Sequence, residues 1–373
     1  MGEGDRRDGE GANVDARPNF HRGLVLDGRY RLERPLAEGG MGSIWVGHQI
    51  ALEREVAVKL LRVGSSEPLR ARLRREALAL AAVFHPAIVQ VYDYGETPGG
   101  SPYLVMELVR GDTLGARLSR EGPFPVVSAV QLAVALLEGL AAAHRAGIVH
   151  RDIKPDNVVL ASTPSGQQPK LLDFGIARLD RGSEARLTAD GGFIGTPAYM
   201  APEQVRGETA GERADVWGIA VLLYELCAGQ SPFGVDDVIA VIRRVVDEPP
   251  SYPRNAVGMD GKLWGILMAA LRKDPAERTP SALALRDALV GWLEARGLAP
   301  ASRPSASQAL APPPPMASSS RLEATMAADA PPVGPEARSR VEVVDAAADT
   351  AKAHVIGDPA SFDALIRSKL GQS

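Results

Sequence analysis

The chain has 373 residues, of which 45% are hydrophobic and 24% are charged, and its formal net charge is −4. This is the composition of a soluble globular protein with room for two or three domains or lobes, and the negative charge argues against a general nucleic-acid binder. One cysteine excludes an intrachain disulfide. No apolar run reaches the roughly 18 residues of a membrane helix, so we expect a cytoplasmic protein without a membrane span.

A glycine-rich hairpin is predicted near the N-terminus. Residues 1–22 are rich in Gly, Asp and Arg, and we expect them to form a disordered tail. A strand pattern then begins near Tyr30 and leads into Ala37-Glu38-Gly39-Gly40-Met41-Gly42-Ser43-Ile44. Glycines between two strands allow the backbone to lie close to a ligand and to offer its N–H groups. Taken alone, the pattern favours a plain turn, because glycine-rich hairpins are common.

A single lysine, Lys59, lies in the apolar run of residues 55–61, which predicts a buried strand. An edge lysine facing water is the plainer interpretation of this stretch alone. The helix predicted after Pro68 places Glu76 on the same face as its leucines. A carboxylate on an apolar face costs several kcal/mol unless it is paired. We therefore expect Glu76 to pair with Lys59.

Strands at 88–94 and 103–108 complete a mostly antiparallel sheet. Beyond Gly111 the pattern is helical, and residues 161–169 interrupt it as a predicted polar turn. Helices are predicted at 127–141, 215–228, 235–247, 263–272 and 282–295. The helix at 215–228 is apolar nearly all round, so we expect it to be the buried axis of this part of the chain.

The remaining residues predict a linker and a short helix. Residues 297–340 are rich in Ala, Pro and Ser, which indicates a linker. The segment 341–373 contains Phe362, Leu365, Ile366 and Leu370 at the spacing of one helical face. A helix this short is marginal in water, so it docks on a partner, docks on the folded part of the chain or stays disordered.

Residues 150–157, His-Arg-Asp-Ile-Lys-Pro-Asp-Asn, place two carboxylates, two cations and a carboxamide between apolar segments. Charged groups between apolar segments form a loop at the rim of a core. Asp173-Phe174-Gly175 and Ala201-Pro202-Glu203 follow it. In this order, and after the glycine-rich hairpin and Lys59, these motifs resemble the protein kinase family, and their style is similar to bacterial eukaryotic-like serine/threonine kinases. The resemblance covers about residues 23–296.

The resemblance implies an α+β, bilobal protein kinase fold with an N-lobe at 23–108 and a C-lobe at 109–296. It also implies transfer of the γ-phosphate of ATP to serine or threonine hydroxyls of protein substrates, with Mg²⁺ or, in its place, Mn²⁺. In this family Asp152 would orient the acceptor hydroxyl and take its proton. Lys154 would contact the γ-phosphate and Lys59 the α- and β-phosphates, while Asn157 and Asp173 would be the metal ligands.

The resemblance further implies a nucleotide site formed by the hairpin, the strands and the hinge. Its members are Ala37, Glu38, Gly39, Gly40, Met41, Gly42, Ile44, Ala57, Lys59, Glu76, Met106, Glu107, Leu108 and Val159. Ala37 departs from the family pattern, which has glycine there, and we expect reduced flexibility at most. Three structural contacts are also expected: stacking of His150 on Phe174, bracing of the loop by Asp215, and a Glu203–Arg278 pair.

Arg151 suggests regulation, because an arginine next to Asp152 can pair with a phosphorylated residue in the segment 173–203. Thr188 is the first candidate for that residue and Ser183 the second, whereas Thr196 is expected to line the acceptor site. Phosphorylation between two copies in a transient homodimer is also implied by the resemblance.

Two other classes remain as alternatives. A pseudokinase scaffold would keep the fold and recruit partners, and loss of Lys59, Asp152 or Asp173 would be its mark; all three are present. A small-molecule kinase on a related fold is the other alternative. The Ala201-Pro202-Glu203 motif and the segment before it favour a protein substrate.

Overall fold

The computed structural model describes residues 20–39, 42–61, 67–164, 166–174, 197–235 and 237–298. The predicted N-terminal tail, linker and C-terminal segment lie almost entirely outside these ranges. The N-terminal part holds a six-stranded antiparallel sheet in the order β1-β2-β3-β4-β6-β5. Its strands are β1 Val25–Leu26, β2 Tyr30–Gly39, β3 Gly42–Gln49, β4 Arg54–Leu61, β5 Val91–Glu96 and β6 Pro102–Met106. Helix α1, Glu67–Ala81, packs beside β5.

Strand β4 is central to this sheet. It pairs with β3 on one side and β6 on the other, so the interpretation of Lys59 as an edge residue is wrong. Side chains alternate between the two faces of a strand. On one face of β4, Val56, Val58 and Leu60 are buried in one apolar cluster. On the other face, Ala57 and Leu61 belong to the core that also includes the leucines of α1. Lys59 alternates with the second set and therefore lies on the α1 side.

The C-terminal part is mainly helical. A three-stranded sheet contains β7 Gly111–Thr113, β8 Val158–Thr163 and β9 Gly166–Leu171. The helices are α2 Leu114–Glu121, α3 Val126–Arg145, α4 Pro202–Val205, α5 Glu212–Ala228, α6 Val238–Asp247, α7 Gly261–Ala270 and α8 Ala282–Glu294. Of the 17 residues of α5, 14 are buried, which confirms it as the buried axis. The predicted α+β, bilobal architecture is confirmed.

Two local predictions are wrong. Residues 161–169 do not form a polar turn, because the β8–β9 ladder continues to the pair Thr163–Gly166. The strand predicted from residue 88 begins at Val91. The residues before it pair with β9 instead: the Val89 N–H donates to the Leu171 carbonyl at 3.0 Å, and the Leu171 N–H donates to the Ala87 carbonyl at 2.8 Å. These bonds join the end of β9 to the chain that enters β5.

One helix in the described part of the chain, α3, is long and apolar enough to cross a membrane by length and composition, with a mean hydropathy of 1.9. Gln131 and Glu138 interrupt its apolar sequence. About three fifths of the apolar stretch, 61%, is buried inside the fold. α3 packs against α5 and α8, which is the position of a core helix.

Candidate active site

Asp215, in the first turn of α5, holds the start of the loop 150–157. Its carboxylate accepts the backbone N–H groups of His150 and Arg151, each at 2.8 Å. The Nε2 atom of His144 in α3 lies 2.8 Å from the same carboxylate. Asp215 is 1% exposed, and hydrogen bonds to a buried carboxylate are strong and geometrically restrictive. The predicted bracing of the loop by Asp215 is confirmed.

Arg151 has a left-handed backbone conformation, with φ of 63°. That conformation costs a residue with a side chain roughly 1–2 kcal/mol. Asp215 accepts the Arg151 N–H, and the Gln204 side chain donates to the Arg151 carbonyl at 3.0 Å. Gln204 also accepts the N–H of Ala201 at 3.0 Å. The Gln204 amide therefore ties the loop to the Ala201-Pro202-Glu203 segment, a connection that no sequence motif indicated.

The side chains of Asp152, Lys154 and Asn157 converge within the loop. The Asn157 amide Nδ2 donates to the Asp152 carbonyl at 2.7 Å and to the Asp152 carboxylate at 3.1 Å. The Lys154 ammonium lies 3.8 Å from that carboxylate. Because the loop uses the amide nitrogen of Asn157, its amide oxygen is the atom left to serve as a ligand.

His150 connects this loop to residues 172–174. Its Nε2 lies 2.7 Å from the Leu172 carbonyl, and its Nδ1 accepts the Asp152 N–H at 3.2 Å. The ring is fully buried, and this burial lowers the pKa of His150 and keeps the ring neutral. Its centroid lies 4.5 Å from that of Phe174, so the predicted contact is confirmed, but the two rings are tilted by 54° and are not stacked.

Lys59 and Asp173 form an ion pair between the two parts of the fold. The Lys59 ammonium lies 2.8 Å from Oδ1 of Asp173, and the two side chains are 14% and 28% exposed. Asp173 also has a left-handed backbone, with φ of 50°. Strained backbone at residues such as Arg151 and Asp173 is concentrated at functional sites in proteins.

The predicted Lys59–Glu76 pair is wrong for this structure. The Glu76 carboxylate lies 3.5 Å from Arg72, one turn earlier on α1. Burial raises the pKa of Glu76, and the charges of Arg72 and Arg151 oppose that rise. The reason for the difference is that Asp173 already pairs with the Lys59 ammonium, while half-exposed Glu76 remains within reach of the long Arg72 side chain.

The other residues expected at the nucleotide lie in the hairpin of β2 and β3, in β4 and β8, and at or just after the end of β6. Ala57 and Met106 are buried cross-strand partners, Ile44 is opposite Lys59, and Val159 is buried in β8. Leu108 is half-buried beyond β6. In the hairpin, cross-strand pairs join Ala37 to Ile44, Glu38 to Ser43 and Gly39 to Gly42. Gly40 and Met41 lie outside the described residues.

Gly42 shows what the hairpin requires of its glycines. Its φ is +146°, a conformation that side chains disfavour, and a Cβ at this position would collide with the carbonyl oxygen of Leu60. The glycine therefore allows β3 to lie close to β4 at the start of the strand that carries Ile44.

Lys170 is a residue of this region that the motifs did not single out. Its ammonium lies 2.7 Å from the Glu107 carboxylate, and the two side chains are 14% and 30% exposed. The Glu107 backbone N–H donates to the Gln90 carbonyl at 2.9 Å. Lys170 precedes Asp173 by three residues, so this pair joins the residue after β6 to the strand that leads to Asp173.

Glu203 and Arg278 form a buried, two-point ion pair. The guanidinium nitrogens lie 2.7 and 2.8 Å from the two carboxylate oxygens, and the predicted pair is confirmed. Nearby, the Tyr199 hydroxyl donates to the Glu225 carboxylate at 2.6 Å. Burial is the main cause of a raised pKa for Glu225. The regulatory candidates Thr188, Ser183 and Thr196 lie outside the described residues.

A match to the protein kinase domain model covers residues 30–290. A serine/threonine-protein kinase of Myxococcus xanthus, pkn2, is 40% identical over 71% of this chain and 32% of its own length. Two kinases of Mycobacterium tuberculosis, PknL and PknB, are each 38% identical over 70% and 71% of this chain, and over 65% and 43% of their own lengths. The chain thus spans about a third to two thirds of the length of these relatives.

The match to the domain model covers strands β2 to β6, the loop 150–157 and Asp173, together with the helices around α5. The chain therefore belongs to the protein kinase domain family, and the similar proteins described above are bacterial serine/threonine-protein kinases, as the motifs of its sequence indicated.

Proposed function

We propose that this chain is a serine/threonine protein kinase that transfers the γ-phosphate of ATP to hydroxyl groups of protein substrates. The observation that carries this proposal is the meeting of Lys59 and Asp173 beside a rigid loop that holds Asp152 and Asn157 together. Phosphoryl transfer needs little covalent chemistry from the protein, because catalysis depends on positioning and on neutralising charge. The names of the bacterial relatives support the same activity.

In this proposal Asp152 orients the acceptor hydroxyl and accepts its proton. The hydrogen bond from Asn157 and the nearby Lys154 ammonium keep the Asp152 carboxylate in one orientation. Lys154 contacts the transferred phosphate, and Lys59 contacts the α- and β-phosphates of ATP. The nucleotide is held by the hairpin, by Glu107 and by the apolar residues Ile44, Ala57, Met106, Leu108 and Val159.

The residues present fit a magnesium ion. Mg²⁺ prefers oxygen ligands and uses one or two protein carboxylates together with substrate phosphates and water. The Asp173 carboxylate and the Asn157 amide oxygen provide such ligands, with Mn²⁺ as an alternative ion. Among the described residues no group of three or more His, Cys, Asp or Glu side chains is placed to hold a metal ion. The bound ion would neutralise phosphate charge.

Regulation by phosphorylation of residues 173–203 belongs to the same proposal. Arg151 would pair with a phosphate on Thr188, and Thr196 would line the acceptor site, with phosphorylation between copies in a transient homodimer. We further propose a cytoplasmic kinase domain over residues 23–296, with an N-lobe at 23–108 and a C-lobe at 109–296. The rest of the chain is divided into three segments, which are the tail 1–22, the linker 297–340 and the C-terminal segment 341–373.

Transfer from labelled ATP with Mg²⁺, followed by mapping of the phosphorylated residues, tests this function. We expect phosphate on serine or threonine for the wild-type chain, and at least a 100-fold slower transfer for Asp152→Asn. Asp156→Asn is the matched control, since Asp156 is an exposed carboxylate of the same loop. No transfer by folded, ATP-binding wild-type protein to generic substrates would favour the scaffold class, and equal rates for both variants would remove Asp152 from the proposed chemistry.

A further inference from the structure

The peptide group between Arg151 and Asp152 is held at both of its ends by side chains. The Arg151 carbonyl accepts a hydrogen bond from Nε2 of Gln204 at 3.0 Å, and the Asp152 N–H donates to Nδ1 of His150 at 3.2 Å. Both backbone atoms belong to one rigid plane. The two bonds therefore fix the rotation of this plane, and with it the direction in which the Asp152 side chain leaves the backbone.

The backbone needs this support because Arg151 is strained, with a φ of 63°. Such conformations persist only where the surrounding contacts over-determine them. The Asp215 carboxylate accepts the Arg151 N–H at 2.8 Å and so holds the chain as it enters the strained residue. The bond from Gln204 to the Arg151 carbonyl holds the chain as it leaves that residue and enters Asp152.

The other end of the Gln204 amide binds the chain that leads into α4. Its Oε1 accepts the Ala201 N–H at 3.0 Å. Gln204 is the third residue of α4, and a glutamine at this position commonly reaches back to the N–H of the residue before the helix. A carbonyl needs a donor and an N–H needs an acceptor, so the amide satisfies both partners in one orientation alone. One side chain of fixed orientation thus joins the two segments.

We propose that Gln204 is a positioning residue for phosphate transfer, because it holds the backbone of Asp152 in a fixed relation to the segment that presents the acceptor. This inference rests on the proposed function, in which Asp152 accepts the proton of the hydroxyl and Thr196 lines the acceptor site. The chain directly after Thr196 runs through Ala201 to Gln204. Gln204 therefore acts on the chemical step through the peptide group before Asp152.

Steady-state kinetics of Gln204→Met and Gln204→Glu test this role. Methionine has a similar length and loses both bonds, whereas glutamate keeps an oxygen for the Ala201 N–H and loses the donor to the Arg151 carbonyl. We expect kcat to fall at least tenfold in both variants and the KM for ATP to change less than about twofold, because a misplaced base slows chemistry without weakening nucleotide binding. A wild-type kcat for Gln204→Glu would overturn the proposal.

Hydrogen exchange of the Asp152 N–H, measured by NMR, gives a second readout that does not depend on activity. We expect this exchange to be at least tenfold faster in both Gln204 variants, because the peptide group opens more often when one of its two bonds is lost. Failure of the wild-type chain to transfer phosphate would count against the proposed function, and the exchange rates would still decide whether Gln204 holds this peptide. Wild-type exchange rates in both variants would overturn the proposal.

Gln49→Met is the matched control. Gln49, at the end of β3, is also partly buried, and its side chain also makes a hydrogen bond, which it accepts from Nε of Arg54 at 2.7 Å. This variant should leave kcat and the exchange of the Asp152 N–H unchanged, and urea unfolding checks that all three variants fold. An equal fall in kcat for Gln49→Met would assign the effect to lost stability and would overturn the positioning role of Gln204.

Discussion

The ammonium of Lys59 is bound by Asp173 at 2.8 Å, whereas Glu76 lies beside Arg72. Asp173 is also a proposed metal ligand. Binding of a metal ion would therefore take Asp173 away from Lys59, and a second carboxylate would be needed to hold the ammonium. Glu76 is on the same side of β4, and its raised pKa shows that its present surroundings disfavour its charge.

We expect Glu76→Gln to separate activity from stability. In the structure Glu76 makes only a partly exposed pair with Arg72, so its loss should change the free energy of unfolding by less than about 0.5 kcal/mol. Phosphate transfer should fall at least tenfold, because Lys59 would lack its partner once Asp173 binds metal. Initial rates and urea unfolding measure the two quantities. Glu67→Gln, an exposed position on α1, is the control, and full activity of Glu76→Gln would contradict the exchange of partners.

The Lys170–Glu107 pair gives a prediction for nucleotide affinity. Lys170→Met removes the cation that fixes Glu107, so we expect the KM for ATP to rise about three- to tenfold, with kcat changed less than about twofold. Adding Glu107→Gln to Lys170→Met should cost little more, since residues in one ion pair are coupled by about 1 kcal/mol. Steady-state kinetics across ATP concentrations provide the test. Lys262→Met is the control, and additive effects of the two substitutions would show that the pair does not act as a unit.

The sequence predicted those parts of the site whose geometry is set locally. The loop 150–157 is a short motif, and its spacing correctly predicted that Asp152 and Asn157 lie on the same side of the loop. The partner of Lys59 could not be predicted in the same way, because it depends on how α1 lies against the sheet. The periodicity of α1 placed Glu76 on the correct face of the helix. It could not show whether the carboxylate of Glu76 or that of Asp173 binds the Lys59 ammonium.

Contacts between distant residues were missed for a related reason. Lys170 in β9 and Glu107 just after β6 are far apart in the sequence, and each looks like a surface charge in its own stretch. The strand pairing at residues 161–169 was missed because most residues from Ser162 to Gln168 are polar. Pairing of β8 with β7 and β9, together with the burial of Val158, Val159 and Leu160, stabilises these strands despite the polar residues at their turn.

Asp215→Asn should destabilise the protein and slow catalysis together. The Asp215 carboxylate has two oxygens that accept hydrogen bonds, whereas the amide of asparagine has only one. At least one of its partners, which are the N–H groups of His150 and Arg151 and the ring of His144, would then face the NH₂ group, which is a donor. Leaving a buried donor unpaired costs about 1–3 kcal/mol, so we expect a loss of that size in urea unfolding and at least a tenfold slower transfer. Asp237→Asn is the control, because Asp237 caps α6 and asparagine caps equally well. Wild-type stability of Asp215→Asn would show that the loop is held by other contacts.

His85 should make stability depend on pH in the acidic range. Burial is the main cause of the lowering of its pKa from 6.5 to about 4, and the charges of Arg145 and Lys170 act in the same direction. Between these two pKa values the unfolded chain binds a proton at His85 and the folded chain does not, so this histidine makes the free energy of unfolding fall as pH decreases from 6.5 to 4.

The comparison with His85→Gln isolates this effect, since glutamine does not titrate. Relative to the variant, the wild type should lose about 2 kcal/mol between pH 6.5 and 4, a value reduced from the full pKa difference because the ring is partly exposed. Below pH 4 the difference should level off, because both states of the wild type then bind the proton. Urea unfolding at several pH values measures it, with the exposed His21→Gln as control. Parallel pH profiles for the wild type and His85→Gln would show that the ring gains its proton equally well in the folded protein.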